Sequence, residues 1–270
     1  MPYARRDGVQ LYYEVEGQGP PLLLLEGLGY GLWMWYRQRP ALRAHFTLVL
    51  PDHRGVGRSD KPDEPYTIGI LAEDALAVLD AAGVGRTHVL GVSMGGMVAL
   101  DLALRHPERV DRLVLVSTTP GGPQAEPMPQ ATLDALLAAR ALPGREGLRA
   151  AMALAFAPGY PEAHPEEVER ILDWRVEQPQ PAYAWARQFQ AAASFDVSGR
   201  LHEVTHPTLV VAGSADRVLP ASNSALLGRR LRNGRVHVFE GAGHLVFIER
   251  ADEFNALVVG FLTAGGSEDA

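Results

Sequence analysis

The 270 residues carry 25 basic and 32 acidic side chains, and the resulting net charge of -7 argues against a nucleic-acid partner. With 47% apolar and 21% charged residues the chain is ordinary globular rather than disordered, and the absence of cysteine excludes both a disulfide framework and a thiolate metal site. No apolar run reaches the ~18 residues needed to span a bilayer, so no membrane association is expected, and MPYARRDGVQ at the N-terminus lacks a signal-peptide core. A cytoplasmic location is the expectation.

In chain order, strands are predicted at about 9–16, 22–26, 46–51, 87–92, 112–117, 207–213 and 235–239. Helical patterns are predicted at 69–82, 94–105, 220–231 and 247–263. Alternating strands and helices imply an α/β fold with a largely parallel sheet flanked by helices. The rhythm breaks from about Thr119 to Leu201, where Ala/Leu-rich helical pieces are punctuated by Pro and Gly and no strand pattern occurs. Such a block is too rich in helix for a loop, so residues 121–195 are expected to be a helical insertion in a core domain of 1–120 and 196–270. GGSEDA is the one low-complexity tail.

The stretch GVSMGG at 91–96 carries the clearest chemical signal. A strand ending at Val92 and a helix starting near Met94 put Ser93 on a sharp turn at a helix N-terminus, where free N–H groups favour an anion. A serine needs a base, and His244 in GAGHLVFIE follows the last strand and precedes the last helix, at the same sheet edge. Asp216 in VVAGSADRVLP follows the strand at 207–213 and reads equally as a turn-capping aspartate. The strand before the insertion ends in residues 117–120, SerThrThrPro, and offers no rival carboxylate. Ser, Asp and His in that order, each just beyond a strand, are harder to obtain by chance than any one of them.

With EGLGY at 26–30, DHRGVGRSD at 52–60, GVSMGG, GSADRVLP and GAGH, the chain resembles the α/β-hydrolases over nearly its whole length. It is similar to their capped bacterial subgroup of aryl esterases, haloperoxidase-type esterases and 3-oxoadipate enol-lactonases. The resemblance implies Ser93 as nucleophile, His244 as base, Asp216 as orienting acid, the backbone N–H groups of Leu28 and Met94 as oxyanion donors, and the helical block 121–195 as a cap over the site. The expected reaction is hydrolysis of a small or medium carboxylic ester or lactone through an acyl-enzyme. Perhydrolysis or C–C bond cleavage by the same groups, and a non-catalytic receptor or scaffold of this fold, are the alternatives. The chemistry calls for no cofactor or metal.

Relatives commonly carry His where this chain has Glu26. Glu26 is read either as pinning the oxyanion loop, with Arg54 or Arg58 as candidate partners, or as a protonated donor that reads the substrate. Trp33, Trp35, Phe156, Trp174, Trp185, Phe189, Val218 and Leu245 are candidates for an apolar substrate pocket, although the aromatics could equally pack the cap on the core. Arg175 or Arg187 could meet a substrate carboxylate, but charged residues on helices are usually solvated, so an uncharged ester is expected.

Overall fold

A computed structural model describes residues 2–264, and the GGSEDA tail lies outside the described residues. The sheet has eight strands: β1 (Tyr3–Arg6), β2 (Val9–Gly17), β3 (Pro21–Leu25), β4 (Thr47–Pro51), β5 (Thr87–Val92), β6 (Val110–Val116), β7 (Thr208–Gly213) and β8 (Gly234–Phe239). Their order is β1-β2-β4-β3-β5-β6-β7-β8, antiparallel through β1-β2-β4 and parallel from β4 onwards. The parallel register sets Leu25 beside Gly91, Val92 beside Val116 and Gly213 beside Phe239, so the carboxyl ends of these strands share one edge.

The four leucines of β3 are fully buried because this strand is covered on both faces. Leu23 and Leu25 join a cluster with α2 (Ile68–Ala81) and α3 (Met94–Arg105), while Leu22 and Leu24 join the opposite cluster with α11 (Ala251–Thr263). The period-2 alternation of side chains thus divides the core into two layers around the sheet. Between β3 and β4 the chain makes a 3₁₀ segment, Leu32–Arg37, and the short helix α1 (Arg39–Leu42). The start of α2 is capped by Thr67, whose hydroxyl accepts from the Ile70 N–H at 3.1 Å.

Five helices lie between β6 and β7: α4 (Gln130–Ala141), α5 (Gly144–Ala153), α6 (Tyr160–Ala163), α7 (Pro165–Glu177) and α8 (Ala182–Ala193). The chain leaves and returns at Gly121 and Asp196, which pair in an isolated bridge. Gly121 has φ +69°, and a Cβ there would sit 1.8 Å from the Phe195 carbonyl, so glycine is required at this crossing. Glu167 of α7 accepts from Tyr36 Oη, Arg37 Nε (2.9 Å) and Tyr160 Oη (2.6 Å), which ties α7 to the 3₁₀ segment. Burial opposes ionisation of Glu167, but these donors outweigh it and hold its pKa below the ordinary carboxylate value.

Beyond β7 come α9 (Ser222–Arg230), β8, α10 (Val246–Glu249) and α11. Besides the unpredicted 3₁₀ segment and α1, two elements depart from the sequence expectation. Strand β1 shows no apolar run because it is an edge strand with only Ala4 buried. The helix expected at 247–263 is broken at Arg250 (φ -123°, ψ 41°) into α10 and α11. Glu249, the last residue of α10, accepts from the Ala157 and Gly243 N–H groups, each at 3.0 Å, so that turn serves the loop before it rather than continuing α11.

Candidate active site

Ser93 stands between β5 and α3 with φ 54° and ψ -118°, a conformation that non-glycine residues rarely adopt. The surroundings enforce it: the Ser93 N–H donates to the Val116 carbonyl (2.8 Å) and the Thr118 hydroxyl donates to the Ser93 carbonyl (2.7 Å). A Cβ on Gly91 would fall 2.2 Å from the Gly95 carbonyl oxygen, and one on Gly95 would fall 2.1 Å from that of Leu25. Only glycine at both positions lets α3 start this close to β3 and β5.

His244 follows β8 and is buried; its Nδ1 lies 2.8 Å from Asp216 Oδ2. Asp216 follows β7, and its Oδ1 accepts from the N–H groups of Val218 (2.8 Å) and Leu219 (2.9 Å). The aspartate is therefore both the turn-capping residue and the partner of the imidazole. Its carboxylate orients the ring, leaving Nε2 as the nitrogen available to a neighbour.

The loop after β3 closes a turn, with the Tyr30 N–H donating to the Gly27 carbonyl at 3.2 Å, and a Cβ on Gly27 would meet the Ser93 Cβ at 3.5 Å. Among the described residues, neither the Leu28 nor the Met94 N–H donates to a protein acceptor. Two free donors thus flank the serine. Gln188 of α8, fully buried, accepts from the Gly29 N–H (3.2 Å) and donates to the Arg54 carbonyl (2.9 Å), bridging this loop to the segment 52–60.

Glu26 does not pair with Arg54 or Arg58. Arg54 forms a buried pair with Asp74 and a further bond to Glu64 (3.0 Å), and Arg58 reaches Tyr12 and Glu14. Instead Glu26 Oε1 accepts from the His53 N–H at 2.6 Å, while Oε2 has no partner among the described residues. Burial, and then the neighbouring Asp52 charge, push its pKa well above the carboxylate range. Glu26 lies outside the lining of the cavity that holds Ser93, which removes the substrate-reading role.

That cavity, about 680 Å³, is bounded by the sheet edge below and by the helices of the insertion above. Ser93, His244, Leu28 and Met94 line it together, with Trp185, Phe189, Val218 and Leu245. Four expected aromatics do not. Trp35 is fully buried against Phe247, Phe156 stacks on Tyr160, and Trp33 and Trp174 pack on each other at 5.6 Å, joining the first loop to α7. A large ring satisfies a core as well as a pocket, so side-chain type alone could not separate these cases. Residues without a sequence signal take their places, among them Tyr30, Met97, Met128, Leu136 and Met152. Arg175 lines the cavity, whereas Arg187 pairs outside it with Asp63 at 3.2 Å.

Residues 20–251 match the family model of the alpha/beta hydrolase fold. The chain is 31% identical over 262 residues to a protein assigned as the carbamate hydrolase RutD of Azorhizobium caulinodans, covering 97% of this chain and 98% of that one. It is 32% identical over 264 residues to the 2-hydroxy-6-oxo-6-phenylhexa-2,4-dienoate hydrolase of Comamonas testosteroni, covering 93% and 91%. The enol-lactonase of Burkholderia xenovorans superposes with a TM-score of 0.86 at 31% identity, covering 97% of this chain and all of that one. The protein belongs to the α/β-hydrolase family and is a hydrolase of a small molecule. No helix among the described residues is long and apolar enough to cross a membrane.

Proposed function

We propose that the protein is a cytoplasmic serine hydrolase of carboxylic esters or lactones, with residues 121–195 acting as a cap over the site. The observation that carries this reading is the meeting, in one cavity, of a strained serine, a histidine held by a buried aspartate and two free backbone donors. His244 Nε2 takes the Ser93 proton as Oγ attacks the carbonyl carbon, and Asp216 stabilises the imidazolium that forms. The oxyanion of the tetrahedral intermediate is met by the Leu28 N–H of the loop after β3 and the Met94 N–H at the start of α3, and one lost donor costs about 3 kcal/mol. His244 then protonates the departing alkoxide, leaving an acyl-enzyme. Water, deprotonated by the same imidazole, releases the acid and restores Ser93.

The test is steady-state hydrolysis of p-nitrophenyl esters of increasing acyl length by the native protein and Ser93→Ala. Activity that peaks at one length and falls about 10⁵-fold or more in the variant is the expected result. Turnover that survives the substitution would remove Ser93 from the mechanism. Hydrolytic C–C cleavage by the same three side chains is the second reading, favoured by the 32% identity to the phenylhexadienoate hydrolase. Product analysis with an ester and a vinylogous diketone separates the two.

A further inference from the structure

The cavity is largely apolar, yet two guanidinium groups project onto it from the insertion, and among the described residues neither has a carboxylate within 4 Å. Three other arginines of these helices are neutralised, Arg145 by Asp173 at 2.8 Å, Arg149 by Glu169 and Arg187 by Asp63, while Arg170 is exposed and lies outside the cavity lining. Arg140 of α4, at the exposed rim, instead has its Cζ 3.9 Å from the ring centroid of Trp185, which in turn stacks on Phe189. Half-buried Arg175 of α7 has its Cζ 4.7 Å from the ring centroid of Tyr30. Its Nη2 lies 3.5 Å from where a Gly29 Cβ would stand, so the charge borders the loop that carries the Leu28 N–H.

Both aromatic platforms hold their guanidinium by cation–π contact, which leaves the N–H edge free for a planar anion. The two cations also feel each other: burial, and then the charge of Arg175, hold the Arg140 pKa below the ordinary arginine value. Among the described residues that line the cavity, Glu126 is the one carboxylate, and it already accepts from the Ser222 hydroxyl. Like charges brought together over an apolar cavity without a counterion favour a ligand that supplies one.

Resting on the ester or lactone reading above, we infer that the substrate carries its own carboxylate, bound by Arg140 and Arg175 while the scissile carbonyl faces Ser93. The apolar lining between them then receives the carbon chain or ring that links the two groups. This replaces the uncharged ester expected from the usual solvation of arginines on helices. The deciding fact is pairing: helix arginines are ordinarily solvated or bridged, and these two are stacked and unbridged.

Binding to Ser93→Ala separates this inference from the chemistry, because that variant holds esters without turning them over. The probes are the monomethyl and dimethyl esters of adipic, suberic and sebacic acid, titrated by calorimetry or tryptophan fluorescence. The expected result is that, for at least one chain length, the monoester binds at least about tenfold tighter than its diester. The ratio should fall several-fold when Arg175→Gln or Arg140→Gln is added, and to about 1 in the double substitution, with Arg175→Lys retaining part of it.

A ratio near 1 with both arginines present overturns the inference. So does a preference that survives the double substitution, which would assign the carboxylate to the oxyanion donors instead. Circular dichroism identifies a variant that does not fold, and the remaining single substitution then decides. Failure of the native protein to hydrolyse both these esters and the p-nitrophenyl series, with the binding preference intact, would count against the acyl-enzyme reading and leave carboxylate recognition standing.

Discussion

The two walls of the cavity are built differently. On the sheet side, Ser93, Asp216 and the loop after β3 are held by backbone hydrogen bonds and by glycines that admit no Cβ. On the opposite side, the insertion presents methionines, leucines and two stacked arginines from helix faces, where side-chain identity rather than backbone geometry sets the surface. A wall whose positions are fixed by the backbone suits bond-making at one point in space. A wall of flexible thioethers and branched alkyl groups can be reshaped by substitution without disturbing that point, which suits the selection of a substrate.

The most severe way to break the sheet wall short of removing the serine is Asp216→Asn. The amide would favour the wrong imidazole tautomer while preserving the turn, and kcat should fall by about 10⁴-fold with little change in KM. Single-turnover kinetics that left acylation unchanged would show that the imidazole does not need the carboxylate.

Gln188 is the point where the two walls meet, so Gln188→Leu should damage both. It leaves the Gly29 N–H and the Arg54 carbonyl without their partner, and each buried orphan costs about 1–3 kcal/mol. Denaturant unfolding should report a loss of that order, and kcat should drop roughly 10- to 100-fold as the oxyanion loop shifts. An unchanged kcat in a destabilised variant would make Gln188 a packing residue only.

The buried pair of Glu26 and His53 gives the sheet wall a pH signature. Burial pushes the His53 imidazole down to about 4, only partly opposed by its hydrogen bond to the Glu26 backbone. Between pH 4 and 6.5 the unfolded chain therefore binds a proton that the native state refuses, and stability rises with pH across that window, by about 3 kcal/mol at most. Glu26 acts with the opposite sign. Its raised native pKa contributes stability below the unfolded carboxylate pKa of about 4.3, and this is lost as pH rises towards the native value. Urea unfolding at pH 4.5 and 7 should show a flatter profile for His53→Gln and a steeper rise for Glu26→Gln than for the native protein. Parallel profiles for all three would contradict the burial of these groups.

The smallest effect is expected from the insertion wall. Met152→Leu conserves volume, so it should cost less than about 1.5 kcal/mol and leave kcat on the best substrate within a few-fold. Its effect should instead appear as a shifted acyl-length optimum in the p-nitrophenyl series.

The legibility of the sequence follows the same division. Gly91, Gly95 and the run from Leu22 to Leu25 were readable because backbone sterics and two-faced burial leave few residue types that fit. Ser93, His244 and Asp216 could be nominated because each stands just after a strand, where a parallel sheet gathers its loops. Trp35 and Phe156 were not separable from Trp185 and Phe189, because burying a ring is favourable in a core and in a pocket alike. Arg175 and Arg187 were equivalent in the chain until folding placed Asp63 beside one and Tyr30 beside the other. The environment of Glu26 was hidden for the same reason, since His53 and Asp52 lie a whole strand away in sequence.

What the sequence by itself determined is the α/β-hydrolase fold and the chain order of the proposed serine, acid and base, since local rules of turn, strand and helix act over a few residues. The cavity lining, the raised pKa of Glu26 and the unpaired charges of Arg140 and Arg175 were decided only by tertiary structure. Each of these depends on contacts between segments far apart in the chain, and on the water that their packing excludes.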